Sequence, residues 1–416
     1  MGKNYLNMII YKDMLENNIV KLMLNAIDLK LQKKQEELRA LGNQICSELL
    51  MESDTNNYDD NLWKSHIVNL LIADENPFSL ACEKGELTKE TSLYKMGLRD
   101  LTLIKQLYDT EIDFLDEEIN SCIYSYKGAK SDGILNKIKA AFESFENDEQ
   151  IADFMVKFYY ENGSGILNRY KAFRYDTNKK LIGIYNMDTI TFDDIIGCDQ
   201  QKKELMSNTE AFIKGYPANN VLLYGDRGTG KSSSIKALIN EYYSSGLRVI
   251  EISRHQLSLF NDIVDCIRGR GLNFIIFMDD LSFEDFETDY KYLKSVMEGG
   301  LELKPSNVLI YATTNRRHII KENWKDREGN IGDISINEAM QEKLSLVDRF
   351  GVTIIYSAPN QNEYLDIVFG LAEKNNIDMD KDELKAEALK WQMWHNGKSG
   401  RTARQFINFL LGRGVK

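Results

Sequence analysis

The chain of 416 residues contains little of what builds a covalently linked or metal-held scaffold. It has only four histidines, which form no ligand cluster, and five cysteines, which form no CxxC pair. The cysteines are scattered along the sequence, at Cys46, Cys82, Cys122, Cys198 and Cys266. Structural zinc and a disulfide framework are therefore not expected, and a reducing compartment fits this cysteine usage best.

Long hydrophobic runs are also missing from the sequence. No stretch approaches the roughly 18 consecutive apolar residues that a membrane helix needs. The apolar patch near the N-terminus is interrupted by Lys12, Asp13 and Glu16, which is not the pattern of a signal peptide. The formal net charge of −12 disfavours a protein coated with nucleic acid, although it leaves room for a local basic groove. We therefore expect a cytoplasmic protein that does not contact membranes.

The first 185 residues contain a single proline, Pro77, so few positions force a helix to break. Apolar residues recur there at helical spacing in three stretches, 19–29, 98–108 and 134–142. We predict an all-α N-terminal domain over residues 1–185, with a partner-binding or regulatory role, whose apolar stripes form its own core. Pairing of a long first helix with a helix of a partner is the alternative.

From residue 186 onward, short apolar runs alternate with helical segments, which is typical of a parallel sheet built from βαβ units. The predicted strands are residues 221–224, 248–252, 274–278, 308–312 and 352–356. We predict an α/β domain over residues 186–357, with a five-stranded parallel sheet and helices on both faces. The helical pattern after Ser357 predicts a small lid domain over residues 358–416.

A P-loop pattern stands between the first of these strands and a predicted helix. It reads Gly225-Asp226-Arg227-Gly228-Thr229-Gly230-Lys231-Ser232, followed by Ser233. The glycines let the backbone wind closely around phosphates with its N–H groups pointing inward, and the helix N-terminus adds partial positive charge. In this pattern Lys231 binds the β- and γ-phosphates and the Ser232 hydroxyl is a magnesium ligand. The chain is therefore expected to bind ATP with Mg²⁺.

Two carboxylates, Asp279 and Asp280, directly follow the apolar run 274–278. The carboxyl ends of parallel strands face the ligand crevice of such a sheet. Asp279 is therefore predicted to be a magnesium ligand beside Ser232, and Asp280 is predicted to polarise the attacking water.

Several segments resemble motifs of the AAA+ superfamily of ATPases, over about residues 188 to 411. Residues 191–197 are similar to the segment that packs on adenine in that family. Thr313-Thr314-Asn315, after a predicted strand, resembles sensor 1. Residues 346–351 resemble the box that carries an arginine finger, and residues 399–404 are similar to sensor 2.

The resemblance implies roles for individual residues. Ile196 and Gly197 would contact the adenine, and Asn315 would sense the γ-phosphate and position water. Arg349 would reach the γ-phosphate of a neighbouring subunit, which implies a homo-oligomer; an exposed arginine paired with Asp348 is the alternative. The Gly-x-x-Ala spacing favours Arg401 as sensor 2, with Arg404 as the alternative.

The sequence departs from the commoner AAA+ pattern. Asp280 stands where a glutamate usually follows the magnesium-binding aspartate, so we expect slow turnover, with water held differently or with help from Glu284. The interval before the Asp279 strand shows no convincing aromatic-x-Gly pore-loop triplet, which disfavours protein unfolding. Arg316, Arg317 and His318 form a basic cluster that suits either a solvated loop or contact with a partner subunit or an anionic ligand.

A narrower resemblance concerns residues 217–225, 279–284 and 315–318. These segments look like a bacterial family of predicted ATPases catalogued as domain of unknown function 815. Three functions fit the sequence. They are an ATPase that couples nucleotide turnover to conformational change or remodelling of a protein or nucleic-acid partner, a nucleic-acid-associated helicase-loader-like ATPase, and a slow or non-hydrolysing ATP-gated scaffold.

Overall fold

The computed structural model describes residues 7–112, 117–128, 132–281, 297, 305–315, 348–395 and 397–414. The chain forms two compact units, residues 1–169 and residues 170–416. The division falls after residue 169, whereas the sequence predicts a boundary after residue 185. None of the helices in the described part of the chain is long and apolar enough to cross a bilayer.

The first unit is helical in its described residues. Its helices are α1 (Asn18–Leu31), α2 (Gln35–Asn56), α3 (Leu62–Ala73), α4 (Pro77–Glu83), α5 (Ser92–Tyr108), α6 (Glu117–Tyr124), α7 (Gly133–Ser144) and α8 (Asp148–Asn162). Asn17 caps α1 by accepting the backbone N–H of Val20, and Asn147 caps α8 in the same way. Lys33 has φ 60° and interrupts the helical path, so the long first helix of the sequence prediction is two helices, α1 and α2, packed together.

The apolar stripes predicted in this half face one core. Ile19 and Met23 of α1, Ile104 of α5 and Ile138 of α7 are all buried in the same cluster. The apolar stripe of α1 is therefore covered within its own unit, as the sequence prediction of an internal core requires.

The second unit contains a seven-stranded sheet with the order β2-β1-β4-β5-β6-β3-β7. The strands are β1 (Ala172–Tyr175), β2 (Leu181–Gly183), β3 (Val221–Gly225), β4 (Leu247–Glu251), β5 (Asn273–Met278), β6 (Val308–Thr314) and β7 (Val352–Tyr356). Neighbouring strands are parallel, except for β1 and β2, which form an antiparallel hairpin. Helices α9 (Asp199–Ile213) and α10 (Lys231–Tyr242) pack on this sheet. This is the predicted α/β class.

The sheet has two strands more than the five predicted. β1 and β2 lie before residue 186, in the part of the sequence predicted to be helical. Strands of four and three residues are too short to show an alternating pattern, and β1 is defined by its parallel pairing with the distant strand β4. The hairpin turn has Lys179 at φ 60° and is held by the Asp176 carboxylate, which accepts the backbone N–H of Lys180.

Three helices follow β7, as the sequence predicts for a lid. They are α12 (Gln361–Lys374), α13 (Lys381–Trp394) and α14 (Gly400–Gly412). Helix α11 (Phe260–Ile267) is not part of the lid and lies between β4 and β5. Asn360, Asp380 and Ser399 cap the three lid helices with side-chain hydrogen bonds. The lid helices share a buried apolar cluster of their own, which includes Tyr364 and Phe406.

Candidate functional site

The loop between β3 and α10 follows a path that its glycines make possible. Gly225, Gly228 and Gly230 have φ values of 135°, 75° and 103°, which L-residues rarely adopt. A Cβ added at Gly225 would lie 2.0 Å from the carbonyl oxygen of Tyr356, so β7 passes directly against the loop. Helix α10 then begins at Lys231, with its N-terminus at the carboxyl end of the sheet.

Lys231 is enclosed by the loop that precedes it. Its Nζ donates to the carbonyl oxygens of Gly225 at 3.0 Å and Asp226 at 2.6 Å, and the residue is 5% exposed. Burial lowers the pKa of Lys231, and the carboxylates of Asp226, Asp280 and Asp279 offset part of this effect. The loop thus holds a positive charge at its centre through neutral carbonyl groups.

Ser232 and Asp279 lie together, as the sequence predicts for two ligands of one ion. The Ser232 hydroxyl donates to Asp279 Oδ1 at 2.6 Å. Asp279 directly follows β5, and Ser232 belongs to the first turn of α10. A hydroxyl and a carboxylate oxygen are ligands of the kind that Mg²⁺ prefers.

Asp280 and Asn315 also meet at this end of the sheet. The Asn315 side-chain amide donates to Asp280 Oδ1 at 2.6 Å. Asp280 has φ 52°, a left-handed conformation that aspartate tolerates better than most residues. The second carboxylate is therefore held by Asn315, while the first is held by Ser232.

Thr313 joins the two carboxylates, and the sequence prediction gave it no separate role. Its hydroxyl donates to Asp279 Oδ1 at 2.5 Å and accepts the backbone N–H of Asp280 at 2.9 Å. The signal in the sequence that points to this role is a polar threonine near the end of an otherwise apolar strand, because a polar side chain there needs a hydrogen-bond partner.

A cavity of about 730 Å³ is lined by Lys231, Ser232, Asp279, Asp280 and Asn315, but not by Thr313. The predicted site residues that line it are Ile196, Gly197, Arg227, Gly228, Thr229, Gly230, Lys231, Ser232, Ser233, Asp279, Asp280, Asn315 and Arg401. Gly225 and Asp226 are not among the lining residues, although their carbonyl groups hold Lys231. Arg404 lines the cavity together with Arg401, so the choice between them for sensor 2 stays open.

The lid is joined to the phosphate loop by hydrogen bonds. The backbone N–H of Arg401 donates to the Gly228 carbonyl at 3.1 Å, at the start of α14. The backbone N–H of Ala358, between β7 and α12, donates to Asp226 Oδ2 at 2.8 Å. Lid position and loop conformation are therefore coupled through short contacts.

A second tie joins the lid to the segment that resembles the adenine-packing motif. Lys374 Nζ lies 2.9 Å from Asp194 Oδ1. Two hydrogen bonds lower the pKa of Asp194 to about 2. The larger effect comes from the backbone N–H of Thr191 and the smaller one from the Lys374 side chain, so this carboxyl group is ionised at neutral pH. Ile196 packs against α12, where a Cβ added at Gly370 would lie 2.6 Å from Ile196 Cδ1.

Apolar side chains also line the cavity, and the sequence prediction includes only Ile196 and Gly197 from this part of the lining. Ile190, Ile195, Ile367 and Leu371 also line the cavity. Their positions depend on the packing of α12 against residues 190–197, which no local pattern reveals. The cavity lining therefore combines apolar side chains with charged groups, the two environments that a base and a phosphate chain require.

Arg349 is half-buried and is not among the described residues that line this cavity. The structure thus does not bring it together with Lys231 and Asp279 of the same chain. The predicted helper Glu284 and the basic cluster of Arg316, Arg317 and His318 lie outside the described residues.

The residues present fit ATP with Mg²⁺ by the chemistry of their side chains. The buried ammonium group of Lys231 and the oxygen pair of Ser232 and Asp279 supply a phosphate ligand and a set of hard donors for Mg²⁺.

The chain is similar in sequence to several known proteins. A family model described as "Protein of unknown function (DUF815)" matches residues 168–414. The chain is 25% identical over 274 residues to a putative 26S proteasome regulatory subunit homolog of Methanocaldococcus jannaschii, which is 63% of this chain and 68% of that protein.

Two further similarities are shorter or weaker. The chain is 35% identical over 71 residues to the replication factor C large subunit of Staphylothermus marinus, which is 17% of this chain and only 16% of that protein. The solved structure of the Thermotoga maritima RuvB Holliday junction branch migration motor matches with a TM-score of 0.33 and 13% identity, over 53% of this chain and 72% of that chain.

Proposed function

The chain belongs to the DUF815 family of AAA+ ATPases, and we propose that it binds Mg-ATP in the cavity beside Lys231 and hydrolyses it. The observation that carries this proposal is the convergence of a buried lysine, a hydroxyl–carboxylate pair and a second carboxylate held by an amide in one cavity. A site that only binds phosphate has no need for the second carboxylate and its amide partner.

The phosphate loop supplies the binding contacts in this proposal. Lys231 and the N–H groups at the start of α10 hold the phosphates, and Ser232 and Asp279 hold the magnesium ion. When bound, the ion neutralises charge on the phosphoryl oxygens during transfer. Ile196 and Gly197 contact the adenine, and Ile195 and Leu371 add apolar surface to the same cavity.

Asp280 orients the water that attacks the γ-phosphate in this proposal, and Asn315 holds its carboxylate. Because aspartate is one methylene shorter than the glutamate commoner in AAA+ proteins, we expect slow turnover. Arg401 reaches the phosphates from the lid, and the Arg401 N–H bond to Gly228 supports this assignment. Arg404 is the alternative residue for this role.

We further propose that turnover changes the contacts of the chain with a protein partner. The bonds between the lid and the phosphate loop give a path by which a nucleotide at Lys231 shifts α14. The relative that matches 63% of the chain is a putative regulatory subunit homolog of a protein complex, which favours a protein partner over nucleic acid. The net charge of −12 points the same way.

Equilibrium titration with a fluorescent ATP analogue in the presence of Mg²⁺ tests the binding step. Lys231→Ala should weaken affinity by about tenfold or more, the effect of losing a charge-assisted hydrogen bond. Lys236→Ala is the matched control, because Lys236 lies on the same helix and pairs with Asp188 at 3.3 Å. Equal affinities of the two variants would show that this cavity is not the nucleotide site.

A further inference from the structure

Thr313 occupies a special place in the sheet. The register of β5 and β6 pairs Met278 with Ala312, so the next residues along the two strands, Asp279 and Thr313, lie side by side at the carboxyl end. Thr313 is only 2% exposed. Its side chain is therefore a buried hydroxyl directly next to a carboxylate that the proposed function assigns to magnesium.

Thr313 makes three hydrogen bonds with consecutive residues of the turn that follows β5. Its hydroxyl donates to Asp279 Oδ1 at 2.5 Å and accepts the backbone N–H of Asp280 at 2.9 Å. Its carbonyl oxygen accepts the backbone N–H of Leu281 at 2.7 Å. One residue of β6 thus fixes the side chain of Asp279 and the backbone of the next two residues.

The backbone contacts determine where the second carboxylate points. Asp280 has φ 52°, so its side chain leaves the turn in a direction that an ordinary extended residue would not take. In that conformation its Oδ1 accepts the Asn315 amide at 2.6 Å. The Thr313 hydroxyl therefore contacts both the first carboxylate and the backbone that carries the second.

We propose that Thr313 is a positioning residue that sets Asp279 for magnesium and Asp280 for water through its hydroxyl. The inference rests on the proposed function of the cavity and adds to it a residue that touches neither nucleotide nor metal. Removal of the hydroxyl leaves Asp279 Oδ1 with one of its two hydroxyl donors, and takes away the side-chain acceptor of the Asp280 N–H. Both carboxylates then gain freedom, and the magnesium-dependent part of nucleotide binding weakens.

The test compares the dissociation constant of a fluorescent ATP analogue in Mg²⁺ with that in EDTA, for the full chain. Thr313→Val keeps the branched shape and removes the hydroxyl, while Thr313→Ser keeps the hydroxyl and removes the methyl group. Thr313→Ala is the second loss variant if the valine variant does not fold. Thr209→Val is the control, since Thr209 is also buried in this unit. Its hydroxyl donates to the Leu205 carbonyl and lies 2.7 Å from the Tyr311 hydroxyl, and neither of these residues lines the cavity.

The gain in affinity from Mg²⁺ should fall about tenfold in Thr313→Val, and remain within about twofold of wild type in Thr313→Ser and Thr209→Val. In EDTA, the affinity of every variant for the ATP analogue should equal that of wild type, because the phosphate loop does not contain Thr313. Phosphate release should drop in the valine variant through the turnover number more than through KM.

Two different results would overturn the inference. In the first, wild type binds the analogue more tightly in Mg²⁺ than in EDTA, and Thr313→Val (or Thr313→Ala in its place) shows the same gain in affinity. Thr313 then does not position the carboxylates, and the proposed function stands. If wild type binds the analogue equally in Mg²⁺ and EDTA, or not at all, the proposed function and the role of Thr313 fail together.

Discussion

Gly228 is a residue at which the phosphate loop and the lid lie in close contact. Its φ of 75° and its distance from Arg401 and Ser399 both require the absence of a side chain. An added methyl group would push the N-terminus of α14 away from the loop, and with it the arginines that face the cavity.

Gly228→Ala should therefore weaken ATP binding by about tenfold, in addition to the cost of roughly 1 kcal/mol for a positive φ. Gly215→Ala is the matched control, since Gly215 has φ 77° but no atom within 4 Å of an added Cβ. Thermal denaturation should show similar stability losses for both variants, whereas titration with ATP should separate them. Unchanged affinity in Gly228→Ala would mean that lid and loop need not approach each other.

Some of the site residues can be predicted from the sequence, and others cannot. The phosphate loop, Ser232 and the two carboxylates were predictable because each is part of a local pattern next to a strand. Thr313 was not, because its role follows from the register between β5 and β6, which are far apart in the sequence. The contact of Asp226 with Ala358 joins segments that are even further apart in the sequence.

Helix α3 carries a histidine whose burial gives the first unit a dependence on pH. His66 is 1% exposed, and its ring nitrogens lie 3.1 Å from Tyr58 Oη and from Asn17 Oδ1. Burial lowers the pKa of His66 to about 4. In the unfolded chain the pKa of the ring is about 6.5. Between pH 6.5 and pH 4, therefore, only the unfolded state takes up a proton.

The contribution of the neutral His66 ring to the free energy of unfolding is thus fully present above about pH 6.5 and is lost as pH falls towards 4. Between pH 7.5 and pH 5 the free energy of unfolding should fall by about 2 kcal/mol through this group. His66→Gln removes the titration, so urea unfolding of that variant should lose less stability over this range. His395→Gln, which alters an exposed ring, should keep the wild-type dependence. Identical pH profiles for wild type and His66→Gln would contradict this origin.

At the scale of elements, the sequence predicted the five strands that carry the site and the helices of the lid. These strands are near-continuous apolar runs bounded by polar residues, and the lid helices have clear periodicity. The hairpin of β1 and β2 was missed because its two strands are short and gain their structure from pairing with β4. The break between α1 and α2 was missed because Lys33 adopts a positive φ that its residue type does not announce.

At the scale of the whole molecule, the position of Arg349 bears on assembly. It is absent from the described residues that line the cavity of its own chain, which is what an arginine acting on a neighbouring subunit requires. We therefore propose that the chain works as a homo-oligomer with sites shared between subunits.

Arg349→Ala should lower turnover by roughly 10³-fold, the range for an arginine supplied in trans, with little change in ATP affinity. Mixing Arg349→Ala with Asp280→Asn should restore roughly a quarter of wild-type turnover, because about one site in four then combines an intact Asp280 with an intact neighbouring arginine. Co-purification of the untagged variant with a tagged copy of the other must show that mixed oligomers form. No recovery in such oligomers would place Arg349 outside the catalytic machinery.

The division of the chain was the least predictable feature at this scale. Residues 170–185 look like an extension of the helical half, yet they supply strands to the sheet of the second unit. Strand pairing across a long stretch of chain decides where the second unit begins, and composition does not report it.

Steady-state phosphate release tests most directly whether this cavity hydrolyses ATP. Wild type should release phosphate slowly and only with Mg²⁺. Lys231→Ala should lose turnover with weakened binding, and Asp280→Asn should lose turnover while still binding ATP. Lys236→Ala should match wild type. Equal turnover in wild type, Lys231→Ala and Asp280→Asn, or none in wild type that binds Mg-ATP, would contradict the account.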